Sequence, residues 1–321
     1  MRLLKLVPDN TNIGFVRIRF IAFMVTALLT VAAIGATATR GLNLGVDFVG
    51  GLMIEAQFEQ APPLDKMRAT IDGLGVGTSA LQQFGDPRTV SIRLPIAEGS
   101  DEGATNAIVT TVSNALKAQF PGVTFTRTDT VSGKVSGELI RNGVLAVILA
   151  ILGIAVFSWL RYEWQFGVST FVAVVHDVVM AIGFFAITQL EFDLNIVAAV
   201  LTIVGYSIND KMVIDDRIRE NMRKYRQMDM KALIDLSVNE TLPRTVMTSL
   251  TVFLALGALL LWGGHVLRGF SAAMLLGVIV GTYSSIYVSS SLLISLGLEP
   301  AKFGQKAETA RPEAERVGPK A

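Results

Sequence analysis

Four ionisable residues lie in or beside long apolar runs: Asp177, Asp210, Lys211 and Arg244. A charge inside a bilayer costs about 2.5–3.5 kcal/mol on insertion scales, so each marks a functional site by default. Asp210 falls in GYSINDKMVIDDRIREN (205–221), directly after the apolar run LNIVAAVLTIV (194–204). Helical spacing gives it neighbours: Thr202, Tyr206, Asn209 and Asp210 share one face, Arg244, Thr248 and Thr251 a second, and Thr282, Ser285 and Ser289 a third. Three such polar stripes can converge inside a helix bundle. Asp210 with Arg244 forms a candidate ion pair, and a carboxylate with one arginine and surrounding hydroxyls suits proton relay. Burial disfavours its charged form and the arginine favours it, so movement of the arginine would switch proton affinity. Asp177, beside His176, is expected near mid-membrane as a further relay member. Lys211 is expected to snorkel to the adjacent water interface. The plain alternatives are ordinary interhelical hydrogen bonds, worth about 0.6 kcal/mol each, and a static Asp210–Arg244 pair.

These residues need a membrane bundle to hold them. The chain has 321 residues, of which 51% are hydrophobic and 17% charged, with a mean hydropathy of +0.51, which is the composition of a membrane protein. A span needs roughly 20 mostly apolar residues, and the sequence predicts six, near 17–38, 140–160, 166–188, 193–214, 245–263 and 269–293. The first could be a secretory signal, since Ala36-Thr37-Ala38 resembles a cleavage site, but its apolar run is long for that role and a retained helix is the better reading. Arg2, Lys5, Arg17, Arg19, Arg161, Arg217, Arg219, Arg223, Lys224, Arg226 and Lys231 all fall on one side of the predicted topology. The other side carries little positive charge: Glu191 and Asp193 in one loop, His265 and Arg268 in another. The positive-inside rule therefore places both termini in the cytoplasm.

The predicted organisation is a cytoplasmic N-terminus over 1–16, a first span at 17–38, and an extramembrane module over 39–139. Spans two to six follow over 140–293, with a basic cytoplasmic loop at 215–244, and then a disordered tail over 294–321. Strand-like runs at 51–58, 79–85, 89–96 and 123–133 and helical patterns at 62–75 and 102–122 give the order βαββαβ, with Asp86-Pro87-Arg88 as a turn. The expected fold is thus an all-α bundle of six transmembrane helices carrying one α+β ferredoxin-like domain. Glycines at 50, 51, 133 and 137 read as hinges on either side of the module. Gly277 and Gly281 form a GxxxG face expected to receive a second six-span bundle.

The chain has no cysteine, which excludes disulfides, thiolate metal sites and a cysteine nucleophile. His176 and His265 lack ligand spacing. The module's acids, Asp47, Glu55, Glu59, Asp65, Asp72 and Asp101, read as a scattered solvated surface. No nucleophile-base constellation or P-loop is visible, so an enzyme is not expected, nor is a cofactor. The basic 217–231 segment is most simply topological, and no nucleic-acid partner is expected.

Five ordered stretches carry a resemblance to the SecF family of the bacterial protein-export machinery: GLNLGVDFVGG (41–51), AVVHDVVMAIGFFAI (173–187), GYSINDKMVIDDRIREN, SVNETLPRTVMTSL (237–250) and GTYSSIYVSSSLL (281–293). The resemblance implies a six-span inner-membrane protein of the resistance-nodulation-division superfamily. It implies pairing with SecD, work beside SecYEG, SecA and YajC, and promotion of unfolded polypeptide export on the periplasmic side. H⁺, or else Na⁺, would be the coupling ion, and lipid the surroundings. It places Asp210 at the family's membrane carboxylate and Arg244 at its span-five arginine. Lys211, where a small polar residue is expected, and Asp215, where phenylalanine is expected, depart from it. The rival functions are a proton-coupled lipid or small-molecule exporter of the same superfamily and a non-conducting translocon scaffold.

Overall fold

The computed structural model describes residue 8 and residues 11–84, 86–96 and 102–300. Arg2, Lys5, Asp101 and the predicted tail beyond residue 300 lie outside the described residues. Along the chain, α1 (Arg19–Arg40) is followed by a short helix α2 (Val46–Val49), β1 (Gly51–Gln57), α3 (Leu64–Asp72), β2 (Ala80–Phe84), β3 (Asp86–Leu94), α4 (Glu102–Gln119) and β4 (Thr124–Val131). Long helices then follow one another: α5 (Gly133–Arg161), α6 (Trp164–Thr188), α7 (Leu194–Lys224), α8 (Met230–Trp262) and α9 (Gly264–Tyr283). The last continues through a π-helical turn at Ser284–Ser289 into α10 (Ser290–Ser295). Six stretches among the described residues are long and apolar enough to cross a membrane, so the chain is a multi-pass membrane protein.

The chain divides into two compact units, one made of residues 42–146 with 188–197 and the other of the remainder. In the first, the strands form an antiparallel sheet in the order β2-β3-β1-β4. Alternation along β1 and β3 puts Leu52, Ile54 and Ala56 opposite Leu94, Ile92 and Val90. This apolar face is covered by Met67 and Ile71 of α3 and by Val112 and Leu116 of α4, all fully buried. Asp86 and Pro87 belong to β3 rather than to a separate turn, with Asp86 paired to Phe84.

The four glycines read as hinges lie in different settings. Gly50 and Gly51 have φ of 74° and 108°, and a Cβ on Gly51 would sit 2.6 Å from the Leu94 carbonyl oxygen, so close packing demands glycine there. Gly133 and Gly137 lie inside the first turns of α5, which starts earlier than the predicted second span.

The same unit contains a strap. Residues 43–49 run beside the loop that precedes α7: Gly45 N–H donates to the Phe192 carbonyl (2.8 Å) and Phe192 N–H to the Asn43 carbonyl (2.8 Å). The Asn43 amide donates to the Gln189 carbonyl at 3.0 Å. Gly45 has no room for a side chain, since a Cβ would lie 3.1 Å from Asp193 Cβ. Asp47, read from sequence as a surface acid, accepts from Leu194 N–H (2.9 Å) and so caps the helix that carries Asp210. Glu55 is likewise buried within the sheet, and Asp72 accepts from Ser79 N–H (2.8 Å) and Oγ (2.7 Å). Arg93 of β3 locks the strap, donating to the Leu44 carbonyl (2.7 Å) and to Glu191 (3.0 Å).

Burial raises the Glu191 carboxyl above its ordinary value, and the charge of Arg93 pulls the other way. A raised folded pKa contributes stability that is present below the unfolded value of 4.5 and lost as pH rises through the folded one. Arg93→Met removes the opposing cation and should cost about 1.5–3 kcal/mol at pH 7.5, with a smaller loss near pH 5. Thermal unfolding of the purified chain at the two pH values measures this, and equal losses would refute the role of Glu191.

In the other unit, α7 and α8 extend well past the predicted spans. The predicted basic loop at 215–244 is therefore a helical hairpin whose connection is only 225–229. Ile214, Ile218 and Met222 recur at helical spacing on α7 and bury with Leu233, Ile234 and Val238 of α8. Asp229 caps α8 by accepting from Lys231 N–H (3.1 Å). Pro243 inside α8 cannot donate to the Asn239 carbonyl, which instead accepts from Thr11 Oγ1 (3.5 Å). The GxxxG face packs within this chain rather than awaiting a second bundle: a Cβ on Gly277 would collide with Ile203, and one on Gly281 would lie 3.0 Å from Ser207 Cβ.

Candidate functional site

On α7, Ser207, Asp210, Lys211, Ile214, Asp215 and Ile218 are all buried, a stripe at intervals of three and four residues. The first polar cluster lies where α7, α8 and α9 meet. Asp210 is 2% exposed, and its Oδ2 has no hydrogen-bond partner. The hydroxyls of Ser249 and Thr282 act on the carboxyl, as does the charge of Arg244 at longer range. Tyr206 Oη donates to Ser249 Oγ (3.1 Å), and Ser249 and Thr282 hydroxyls are 3.0 Å apart. No ion pair within 4.0 Å joins Asp210 to Arg244 among the described residues, and Arg244 itself is exposed.

Of the predicted threonines, Thr282 reaches this carboxyl and the others do not. Thr202, Thr248 and Thr251 each donate back to the carbonyl four residues earlier, at 2.7, 3.1 and 2.8 Å. Thr202 and Asn209 are exposed. Ser249, absent from the predicted stripes, joins Thr282 at the carboxyl. Its hydroxyl gave no signal in a serine- and threonine-rich segment.

The second cluster centres on Asp177 of α6, which is 1% exposed. Its Oδ2 accepts from Ser207 Oγ on α7 (2.5 Å) and from Ser284 Oγ in the π turn (2.9 Å), while Oδ1 lies 3.0 Å from His176 Nδ1. Three helices thus meet on one carboxyl. Ser285 Oγ donates to the Ser207 carbonyl (3.4 Å), and Ser290 Oγ to the Ser285 carbonyl (2.9 Å). Ser284, Ser285, Ser289, Ser290 and Ser291 are all buried, so the wide turn presents hydroxyls where an apolar helix would present methyls. Such π turns concentrate at functional sites.

The third cluster overturns the expectation for Lys211. Its side chain does not snorkel: it is 2% exposed and donates to Asp215 Oδ2 (2.6 Å) and to Ser169 Oγ of α6 (3.1 Å). Ser289 Oγ of the π turn donates to Ser169 Oγ at 3.4 Å. The two positions that depart from the family resemblance are therefore each other's partners. Their i, i+4 spacing was the sequence signal that could have found them. Among the described residues no three His, Cys, Asp or Glu side chains are placed to share a metal ion.

Comparison with known proteins gives these clusters a setting. Residues 111–299 match the family described as Protein export membrane protein SecD/SecF, C-terminal, and residues 35–62 match the SecD/SecF GG Motif, which contains the strap. The chain is 43% identical over 302 residues to the protein translocase subunit SecF of Cereibacter sphaeroides, covering 92% of this chain and 93% of that protein. It is 41% identical over 291 residues to the subunit of the same name from Rickettsia akari, covering 90% and 94%. It is also similar to the crystal structure of SecDF, a translocon-associated membrane protein from Thermus thermophilus, with a TM-score of 0.81 at 35% identity. That similarity covers 91% of this chain and 39% of the SecDF chain, so this chain spans about two fifths of its length.

Proposed function

The chain belongs to the SecD/SecF family of protein-export membrane proteins, as a SecF-type subunit, and from that premise we propose that it couples proton movement to polypeptide export. Asp210 carries this reading. A carboxyl 2% exposed, with one oxygen unpartnered and hydroxyls of Ser249 and Thr282 beside it, is built to change protonation state rather than to rest as a satisfied structural group. The chain works in this reading as a transport subunit and not as an enzyme.

A SecD-type protein is the partner this reading requires. Asn209 and Arg244 are exposed on helices that cross the membrane, and lipid offers polar groups nothing. A second bundle laid against α7 and α8 would cover them, and would bring a counter-charge within reach of Arg244. The Lys and Arg distribution supports cytoplasmic termini and a periplasmic module. The element order of the module supports a ferredoxin-like assignment. SecYEG, SecA and YajC would supply the exported polypeptide.

Co-purification from native membranes tests the partner, and proton flux in vesicles holding the purified complex tests the coupling. The expected result is a SecD-type protein at equal stoichiometry and a flux that rises with imposed gradient. A chain that purifies alone, or a complex without flux, would return the protein to the scaffold reading.

A further inference from the structure

The Lys211–Asp215 pair has a geometry that a structural role explains poorly. Both charges sit on α7, four residues apart, so their attraction ties that helix to nothing else. Both side chains are at most 2% exposed, and burying charges costs several kcal/mol per ion even after relaxation. Asp215 Oδ1 is buried with no hydrogen-bond partner, although a pair kept for stability should satisfy both oxygens. The contact that does leave α7 is to a hydroxyl, from Lys211 to Ser169 of α6, which also accepts from Ser289.

Ser169 Oγ accepts from both Lys211 and Ser289, and its own proton rests on the Phe166 carbonyl at 3.0 Å. On α6, Ser169 and Asp177 are two turns apart on one face, and on α7 Ser207, Lys211 and Asp215 form the matching row, which spans about 12 Å along the axis. Ser284, bonded to Asp177, and Ser289, bonded to Ser169, are the two ends of the same π turn. Beyond Asp215 the row continues through Ile218 and Met222, both fully buried, and the nearest exposed group is the next residue along α7. There the neighbouring Asp216 accepts from Tyr162 Oη (2.8 Å), lies 3.9 Å from Arg161 and has a side chain 59% exposed.

We propose that Asp215 and Lys211, joined to Asp177 through Ser169, Ser289 and Ser284, form a second proton-exchange site in the bundle, distinct from Asp210. This inference rests on the proton-driven reading given above. The transfer breaks the O–H bond of a neutral Asp177 and forms one on the Asp215 carboxylate. Each intervening hydroxyl passes on one proton for each that it accepts, and a water molecule completes the relay across the π turn; Ser169 turns its hydroxyl from the Phe166 carbonyl to Lys211, which gives a proton to Asp215 Oδ2 as it takes one from Ser169. Asp177 ends as the carboxylate, Asp215 as the acid, and Lys211 keeps its charge throughout. Lys211 places its ammonium 2.6 Å from the accepting oxygen of Asp215, and Asp215 exchanges with water at the Asp216 end.

The test separates proton handling from helix packing. Lys211→Met with Asp215→Leu replaces the pair by apolar side chains of similar volume, an exchange that leaves stability near neutral. In vesicles containing the wild-type or doubly substituted chain with its co-purified partner, the expected result is equal assembly and a flux lowered about tenfold or more. Ser169→Ala with Ser289→Ala removes only two hydroxyls and should lower flux several-fold with assembly unchanged, which keeps the test valid if the first variant fails to assemble. Wild-type flux in either assembled variant overturns the second site while leaving the proton-driven reading intact. Absence of flux in the wild-type complex overturns both.

Discussion

In vesicles carrying the intact complex, Asp210→Asn is expected to reduce gradient-dependent export and proton flux to background, a loss on the order of 10²-fold, while expression and partner binding stay near wild type. Asparagine has the shape of the neutral acid, so the contacts around a 2% exposed side chain survive the exchange. The Ser249 and Thr282 hydroxyls can each turn to donate or accept, and Tyr206 fixes Ser249 from behind at 3.1 Å. What asparagine lacks is a second protonation state. Asp177→Asn is expected to be milder, about tenfold, because the Asp177 carboxyl is held by Ser207, Ser284 and His176 and an amide oxygen still accepts from the two serines. Parallel measurements of export and flux on the two variants decide the ranking. Wild-type flux and export with Asp210→Asn would make Asp210 structural and favour the scaffold.

The spans and the module were readable because each depends on local pattern. Apolar runs of sufficient length announce membrane helices whatever their neighbours, and the alternation of Leu52, Ile54 and Ala56 announces a strand with one buried face. The choice among neighbours was not readable. Helical spacing grouped Thr202 with Asp210, yet Thr202 is exposed and satisfies itself on the Ala198 carbonyl, and spacing alone cannot separate a hydroxyl that bonds backward from one that bonds across. The same limit hid the destination of Gly277 and Gly281, which fit Ile203 and Ser207 of this chain and leave no groove for another. Glycine-rich connectors carry a related ambiguity. Freedom of φ at Gly50 and Gly51 serves a tight passage beside Leu94, and a residue needed for close packing looks in sequence like one needed for motion. Asp47 illustrates the reverse error. Its partner, the Leu194 amide, is 147 residues away, so a capping acid reads as a solvated one.

Lys211 carries the second large expectation. Lys211→Met alone should destabilise the chain by about 3–5 kcal/mol, because it leaves the Asp215 carboxylate buried with one oxygen already unpartnered and the other newly so. Asp215→Leu alone should cost a similar amount, stranding an ammonium whose remaining acceptor is Ser169 Oγ at 3.1 Å. The double variant should recover most of both losses, since removing two buried charges together also removes their desolvation cost. The resulting coupling, measured by a thermal or denaturant double-mutant cycle on the purified chain, should exceed about 3 kcal/mol. Additive losses would mean that the two side chains do not sense each other. Strong coupling explains why the two departures from the family pattern occur together. Either charge alone in that position would burden the fold, whereas the pair is tolerated, and a tolerated buried pair leaves the chain with a titratable carboxyl where an apolar side chain was expected.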